Sequence, residues 1–141
     1  MPRRGRSWSP RKWLRNGADK GGEKRWIVVV QILKAKLHRI QVTEACLDYE
    51  GSLTLDPDDM EAVGILPYEK ILCADVENGN RFETYAIAGK RGSHVCCLNG
   101  AAAHKGKVGD RLIVMCFAQM SEAEAQGYLP KVKHFSSCKS E

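Results

Sequence analysis

A chain of 141 residues has room for one compact domain, or one domain with a tail, and its apolar fraction of 43% is ordinary for a globular protein. No apolar run approaches the roughly 18–20 residues that span a bilayer. The longest, Trp26-Ile27-Val28-Val29-Val30, also lacks the small-residue cleavage site of a signal peptide, so a cytoplasmic protein without a membrane partner is expected.

The net charge of +5 changes meaning once it is divided along the chain. Residues 1–27 hold nine Lys/Arg and two Asp/Glu, giving +7, whereas residues 28–141 hold thirteen and fifteen, giving −2. All three tryptophans (Trp8, Trp13, Trp26) fall in the first stretch. Residues 1–25 are rich in Arg, Lys, Gly and Pro and show no period of 2 or 3.6, a composition that reads as disordered. Such a stretch is either a basic arm for nucleic acid or a membrane surface, or a solvated extension. The extension is the reading adopted, because nothing in the mildly acidic body supports nucleic-acid binding.

From Trp26 the chain breaks into short β-type runs separated by turn signals. Strands are predicted over residues 26–32, 36–43, 46–49, 52–55, 69–76, 81–88, 94–98, 111–118 and 131–135. Asn78-Gly79 is a hairpin signal, since a type I′ turn needs positive φ at both central positions. Two short helices interrupt the strands. Asp56 caps the first, with Pro57 at its first position, Asp58 and Asp59 in its first turn and Gly64 closing it. Ser121-Glu122-Ala123-Glu124 opens the second as a capping box, and Gly127 and Pro130 end it. Many short strands with two helical turns indicate a mainly β fold, a small closed barrel that leaves no exposed sheet edge.

The six cysteines, at 46, 73, 96, 97, 116 and 138, form no C-x-x-C pair and no zinc-type spacing, so no metal site is expected. Several lie in apolar segments and read as reduced, small hydrophobes. Against the strand pattern, Lys36, His38, Tyr49, Ser52, Arg81, Thr84, Tyr85 and Asn99 stand out as polar. Each has an ordinary explanation taken alone. Gly51-Ser52 does too, because the chain holds a second Gly-Ser, Gly92-Ser93, that reads as a turn.

Their context is more specific. Lys36-Leu37-His38-Arg39, Val42-Thr43 and Leu47-Asp48-Tyr49-Glu50-Gly51-Ser52 are followed by Asn78-Gly79-Asn80-Arg81-Phe82-Glu83-Thr84-Tyr85-Ala86-Ile87. Then come Arg91-Gly92-Ser93, Leu98-Asn99-Gly100-Ala101-Ala102-Ala103-His104 and Val108-Gly109-Asp110. In that order these blocks resemble the pyruvoyl-dependent aspartate 1-decarboxylase family, from about residue 28 to about 135. The long basic extension departs from the family, whose members begin a few residues before the Lys36 block; a start near Val28 is therefore expected.

The resemblance implies a six-stranded double-psi β-barrel, a homotetramer with active sites between neighbouring subunits, and decarboxylation of L-aspartate to β-alanine and CO2 for pantothenate biosynthesis. It also implies a covalently bound pyruvoyl group made from Ser52. The Ser52 hydroxyl attacks the Gly51 carbonyl, the resulting ester eliminates, and hydrolysis releases ammonia, leaving a β-chain of residues 1–51 and an α-chain of residues 52–141. A pyruvoyl ketone supplies the electron sink that loss of a carboxylate requires. Carried over residue by residue, Thr84 assists cleavage, Tyr85 donates a proton, and Arg81 and Lys36 bind substrate carboxylate. His38, Tyr49, Asn99, Gly100, Ala101 and Ala102 shape the pocket. Two other readings compete: a non-enzymatic barrel serving as a binding module, and a nucleic-acid binder acting through the basic arm.

Overall fold

The computed structural model describes residues 26–136. Of the basic extension, residues 1–25 lie outside the described residues, as does Cys138; Trp26 and Ile27 are described and exposed. The fold is mainly β, as expected, with eight strands among the described residues: β1 Val29–Gln41, β2 Glu44–Cys46, β3 Ser52–Leu55, β4 Lys70–Asp75, β5 Arg81–Ala88, β6 Cys96–Asn99, β7 Arg111–Ser121 and β8 Lys131–His134. They are hydrogen-bonded in the order β2-β6-β3-β5-β4-β7-β1-β8. The count exceeds six because β2 and β8 add ladders of three and four residues at the ends of that order. No helix of the described residues is long and apolar enough to cross a membrane.

Alternation explains the strands. In β7, Leu112, Val114 and Cys116 are buried while Ile113, Met115 and Phe117 between them are not, the period of 2 that a pleated strand imposes. β1 was expected as two runs with a gap at residues 33–35, but it is one strand of thirteen residues. Its register against β7 shifts between Leu33 and Ala35 and again between His38 and Ile40. At the second shift Arg39 takes φ 67°. The buried positions accordingly jump from Ala35 and Leu37 to Ile40 and Val42, as a bulge requires. A strict alternation count stumbles at both places.

Helix α1, Pro57–Val63, has the expected caps: the Asp56 side chain accepts from Asp58 N and Gly64 closes the helix at φ 78°. Asp56 is fully buried and also accepts from Gly92 N at 3.1 Å and His94 N at 2.9 Å. Burial pushes this carboxyl up, but the N–H groups of Asp58, His94 and Gly92 outweigh it and hold the group below the usual carboxylate range. The second Gly-Ser is therefore a turn strapped to a helix cap. Helix α2, Glu122–Ala125, starts from the Ser121 cap. A 3-10 helix over Gly100–His104 replaces the turn expected at Asn99-Gly100.

The hairpin at Asn78-Gly79 joins β4 to β5, but not through a type I′ turn. Gly79 has φ 74° while Asn78 is not at positive φ. The loop is longer, shaped by Glu77 N donating to Asp75 Oδ1 and Asn80 N donating to Asn78 Oδ1, both at 2.8 Å, side-chain turns that outcompete the two-residue form. One apolar cluster fills the interior, built on Leu37, Leu53, Leu55, Ile71, Leu98 and Leu112 among others. Cys73, Cys96, Cys97 and Cys116 are buried free thiols and Cys46 is exposed, so the reduced-hydrophobe reading holds for four of the five described.

Asp75 and Asp110 are each 2% exposed, and an oxygen of each carboxyl lies within 3.4 Å of where a Cβ on Gly106 would be, so two buried like charges oppose full ionisation of the pair. Burial and then Asp110 push Asp75 up to about 6, while Asp110, facing Asp75 and Lys107, lies below the usual range. A carboxyl raised by folding stabilises the chain fully below its unfolded value of about 4. That contribution is lost as pH rises through about 6. Asp75→Asn keeps an acceptor for Glu77 N and gives Asp110 a permanent donor. Thermal denaturation should show it more stable than wild type at about pH 8, with no gain at about pH 4.

Candidate active site

Ser52 opens β3, and its position follows from two ladders. Against β6 it pairs antiparallel with Asn99, followed by Leu53 with Leu98, Thr54 with Cys97 and Leu55 with Cys96. Against β5 it runs parallel, with Leu53 opposite Ala86 and Thr54 opposite Ile87. Continuing that register backwards sets Tyr85 beside Ser52 and Thr84 beside Gly51. Because side chains alternate, Leu53 and Leu55 enter the core while Ser52 and Thr54 share the other face.

Ser52 is only 1% exposed. Its hydroxyl donates to Glu50 O at 3.3 Å and accepts from Asn99 Nδ2 at 3.0 Å. Asn99 Nδ2 also reaches Thr54 Oγ1 at 2.8 Å, and Asn99 Oδ1 accepts from the Cys97 thiol at 3.1 Å. Ser93, the control serine, is exposed, and its hydroxyl bonds only its own turn, donating to Lys90 O and accepting from Val95 N. Burial and hydrogen bonding thus separate two dipeptides that are identical in sequence.

Gly100 forms the wall behind the Gly51–Ser52 bond. It sits at φ 61°, and a Cβ there would lie 2.5 Å from Tyr49 O, 2.8 Å from Gly51 N and 2.9 Å from Gly51 Cα. Only glycine lets the 3-10 helix approach the 49–51 backbone this closely. Ala102 is buried beneath that helix and Ala101 faces outward.

In front of Ser52 lies a pocket of about 320 Å³, lined by Tyr49, Glu50, Pro67, Tyr68, Tyr85 and Ile87 with Ala88. The Tyr68 and Tyr85 rings stand 6.4 Å apart. A buried hydroxyl beside a scissile-type backbone carbonyl, fixed by one amide and opening on a polar cleft, is equipped for nucleophilic attack on its own chain.

The structure therefore brings together Gly51, Ser52, Tyr85, Asn99 and Gly100, with Thr84 placed beside Gly51 by register. Lys36, His38 and Arg81 do not line this pocket. Arg81 is exposed at the start of β5, opposite Ala74. Lys36 and His38 lie on β1, between β7 and β8. The His38 ring meets that of His134 at 5.3 Å, and its Nδ1 is buried without a hydrogen-bond partner among the described residues. Burial, then Lys36, Arg39 and His134, push its pKa below the ordinary imidazole value.

Thr54, Cys97 and Tyr68 were not among the expected site residues. Thr54 and Cys97 become visible only when the β3–β6 register is known. Tyr68, an exposed aromatic at φ 66° in the loop before β4, carried the signal of a strained loop residue, but only in three dimensions.

Comparison with known proteins agrees with this geometry. The family described as Aspartate decarboxylase matches residues 28–139. The chain is similar to a protein named Aspartate 1-decarboxylase from Clostridium novyi (strain NT), 52% identical over 103 residues covering 73% of this chain and 84% of that one. It is 57% identical over 101 residues to the protein of that name from Syntrophobacter fumaroxidans (strain DSM 10017 / MPOB), covering 72% and 82%. With the one from Staphylococcus aureus (strain MSSA476) it shares 54% over 101 residues, covering 72% and 80%.

The wall behind Ser52 gives a direct test. Gly100→Ala must either push the 49–51 backbone away or distort the 3-10 helix. It should lower stability by roughly 1–3 kcal/mol in urea denaturation, with the largest amide shift changes at residues 49–52.

Proposed function

This chain belongs to the aspartate decarboxylase family, and from that premise we propose that it converts L-aspartate to β-alanine and CO2, after cutting itself between Gly51 and Ser52. The observation that carries the reading is the buried Ser52 hydroxyl, held by Asn99 and by Glu50 O and facing the pocket. The lyase would serve pantothenate biosynthesis, in the cytoplasm.

The residues fit a pyruvoyl group at position 52. The group would be made from a serine whose strand is fixed on both sides, by β5 and β6, and which already fronts a pocket. Asn99, Gly100 and Tyr85 would surround it, and its carbonyl would supply the electron sink for loss of the substrate carboxylate.

The chain's own residues would do the rest. Ser52 Oγ adds to the carbonyl carbon of Gly51, and absence of a side chain on Gly51 leaves the approach open. Nothing lies within 4 Å of where a Gly51 Cβ would be, so that backbone can turn as the bond forms. Thr84, one residue before Tyr85 on β5, would donate to the developing oxyanion. Tyr85 would hold its phenol proton over the pocket and deliver it to the substrate carbon once CO2 has left.

The substrate's carboxylates need cations, and among the described residues no Lys or Arg lines the pocket. A homotetramer would supply them, with Lys36, His38 and Arg81 completing the pocket of a neighbouring copy. One feature supports that assembly: two aromatic residues that line the pocket, Tyr49 and Tyr68, are exposed in the single chain. The double-psi closure of the barrel belongs to the same reading.

Intact mass of a denatured sample should show two pieces, residues 1–51 and 52–141, the second blocked to N-terminal sequencing. Ser52→Ala should stay uncut and inactive; a cut Ser52→Ala chain would refute the assignment. Tyr85→Phe should still be cut, while β-alanine formation falls by about 100- to 10,000-fold, the usual contribution of a general acid.

A further inference from the structure

Four polar side chains make a square on one face of the β3–β6 pair. Ser52 lies opposite Asn99 and Thr54 opposite Cys97, and within each strand the two are separated by one core residue. Three hydrogen bonds join the square, all through the Asn99 side chain: Nδ2 to Ser52 Oγ, Nδ2 to Thr54 Oγ1, and Oδ1 from Cys97 Sγ.

An asparagine amide is nearly symmetric in shape, so its orientation is set by its partners. The two hydroxyls do not set it. Each can donate or accept, and either would satisfy an oxygen as readily as an NH2 group. The thiol does discriminate. A thiol donates one S–H to the amide oxygen, but it accepts only weakly from the amide nitrogen.

We propose that Cys97 is a positioning residue for Ser52: its thiol keeps the Asn99 amide turned so that Nδ2, and not Oδ1, faces the serine hydroxyl. The proposal rests on reading Ser52 as the self-cleaving nucleophile. With Nδ2 facing it, Ser52 Oγ is an acceptor, and its proton is directed to Glu50 O. In the flipped orientation the serine would donate its proton to Asn99 instead. Its oxygen would then swing away from the Glu50–Gly51 backbone and lose the N–H that stabilises charge developing on it.

Cys97 is suited to the task. It is 6% exposed, and burial, then Glu44 and Cys46, push its thiol pKa up, so the S–H proton stays in place. Cys96, the adjacent thiol, points to the other side of the strand into the apolar core. The two cysteines are thus not equivalent: one packs, and the other orients.

Self-cleavage of freshly made chain, followed by intact mass, tests the proposal. Cys97→Ala should slow cutting by about three- to tenfold, the effect of losing one orienting hydrogen bond. Cys97→Val, which keeps a side chain of similar bulk but has no donor, should be as slow as Cys97→Ala. A Cys97→Ala or Cys97→Val chain that cuts like wild type would overturn it.

A second arm does not depend on cleavage. In an uncut Ser52→Ala background, the Asn99 side-chain amide protons should be protected from solvent exchange by their bond to Thr54. Protection should drop in both Cys97→Ala and Cys97→Val. If the wild-type chain never cuts, the reading of Ser52 fails, and this exchange measurement alone decides Cys97. Unchanged protection in Cys97→Ala would then refute its role.

Discussion

Ser52 and Asn99 face each other across β3 and β6, and a slip of that ladder by one residue would exchange the pocket face for the core face. Leu53 and Leu98 would then be driven outward, and Ser52 and Asn99 would be buried in hydrocarbon. The register is therefore held by the leucines even though its product is polar. Core packing and site geometry are the same constraint seen from two sides of one pair of strands.

That ladder also accounts for the extreme burial of a reactive hydroxyl. A buried polar atom without a partner costs roughly 1–3 kcal/mol, and here every side-chain polar atom of the square is satisfied within it or by Glu50 O. Elsewhere the chain does the same with whole loops. Asp56 gathers the N–H groups of Asp58, Gly92 and His94, and the Asp75–Asp110 pair joins the β4–β5 turn to the loop before β7. These buried carboxyls brace the segments that flank the site without entering it.

Much of this was legible in the sequence, and the exceptions have physical causes. Strand positions, both helix caps and the core thiols follow from period, capping chemistry and hydrophobicity, which are local. β1 was split in two at residues 33–35 because its register against β7 shifts there, between Leu33 and Ala35, and a pattern count cannot distinguish a bulge from a break. β2 was misplaced onto residues 46–49, whereas Leu47–Ser52 is mostly turn and bend and the ladder to β6 uses Glu44–Cys46. The Asn78-Gly79 turn failed because Asp75 and Asn78 side chains offered the backbone better partners. At the site, Ser52, Gly51 and Tyr85 were marked by their neighbours in the chain. Cys97 and Thr54 were marked only by neighbours across the sheet.

The same distinction governs the charges. Arg81 leaves the β4–β5 turn on the first residue of β5, four residues before Tyr85 along an extended strand. At a rise of about 3.3 Å per residue, that puts the two backbones about 13 Å apart. Lys36 is further away in the sheet order, beyond β4 and β7. Sequence proximity to a motif therefore does not place these cations on the pocket that Ser52 fronts. A dianionic substrate held against Ser52 needs positive charge close by, since Coulomb attraction across an exposed mouth is weak beyond roughly a Debye length of 8–10 Å. Within one copy of the chain, Lys36 and Arg81 on the one hand and the pocket on the other therefore occupy separate stretches of the sheet.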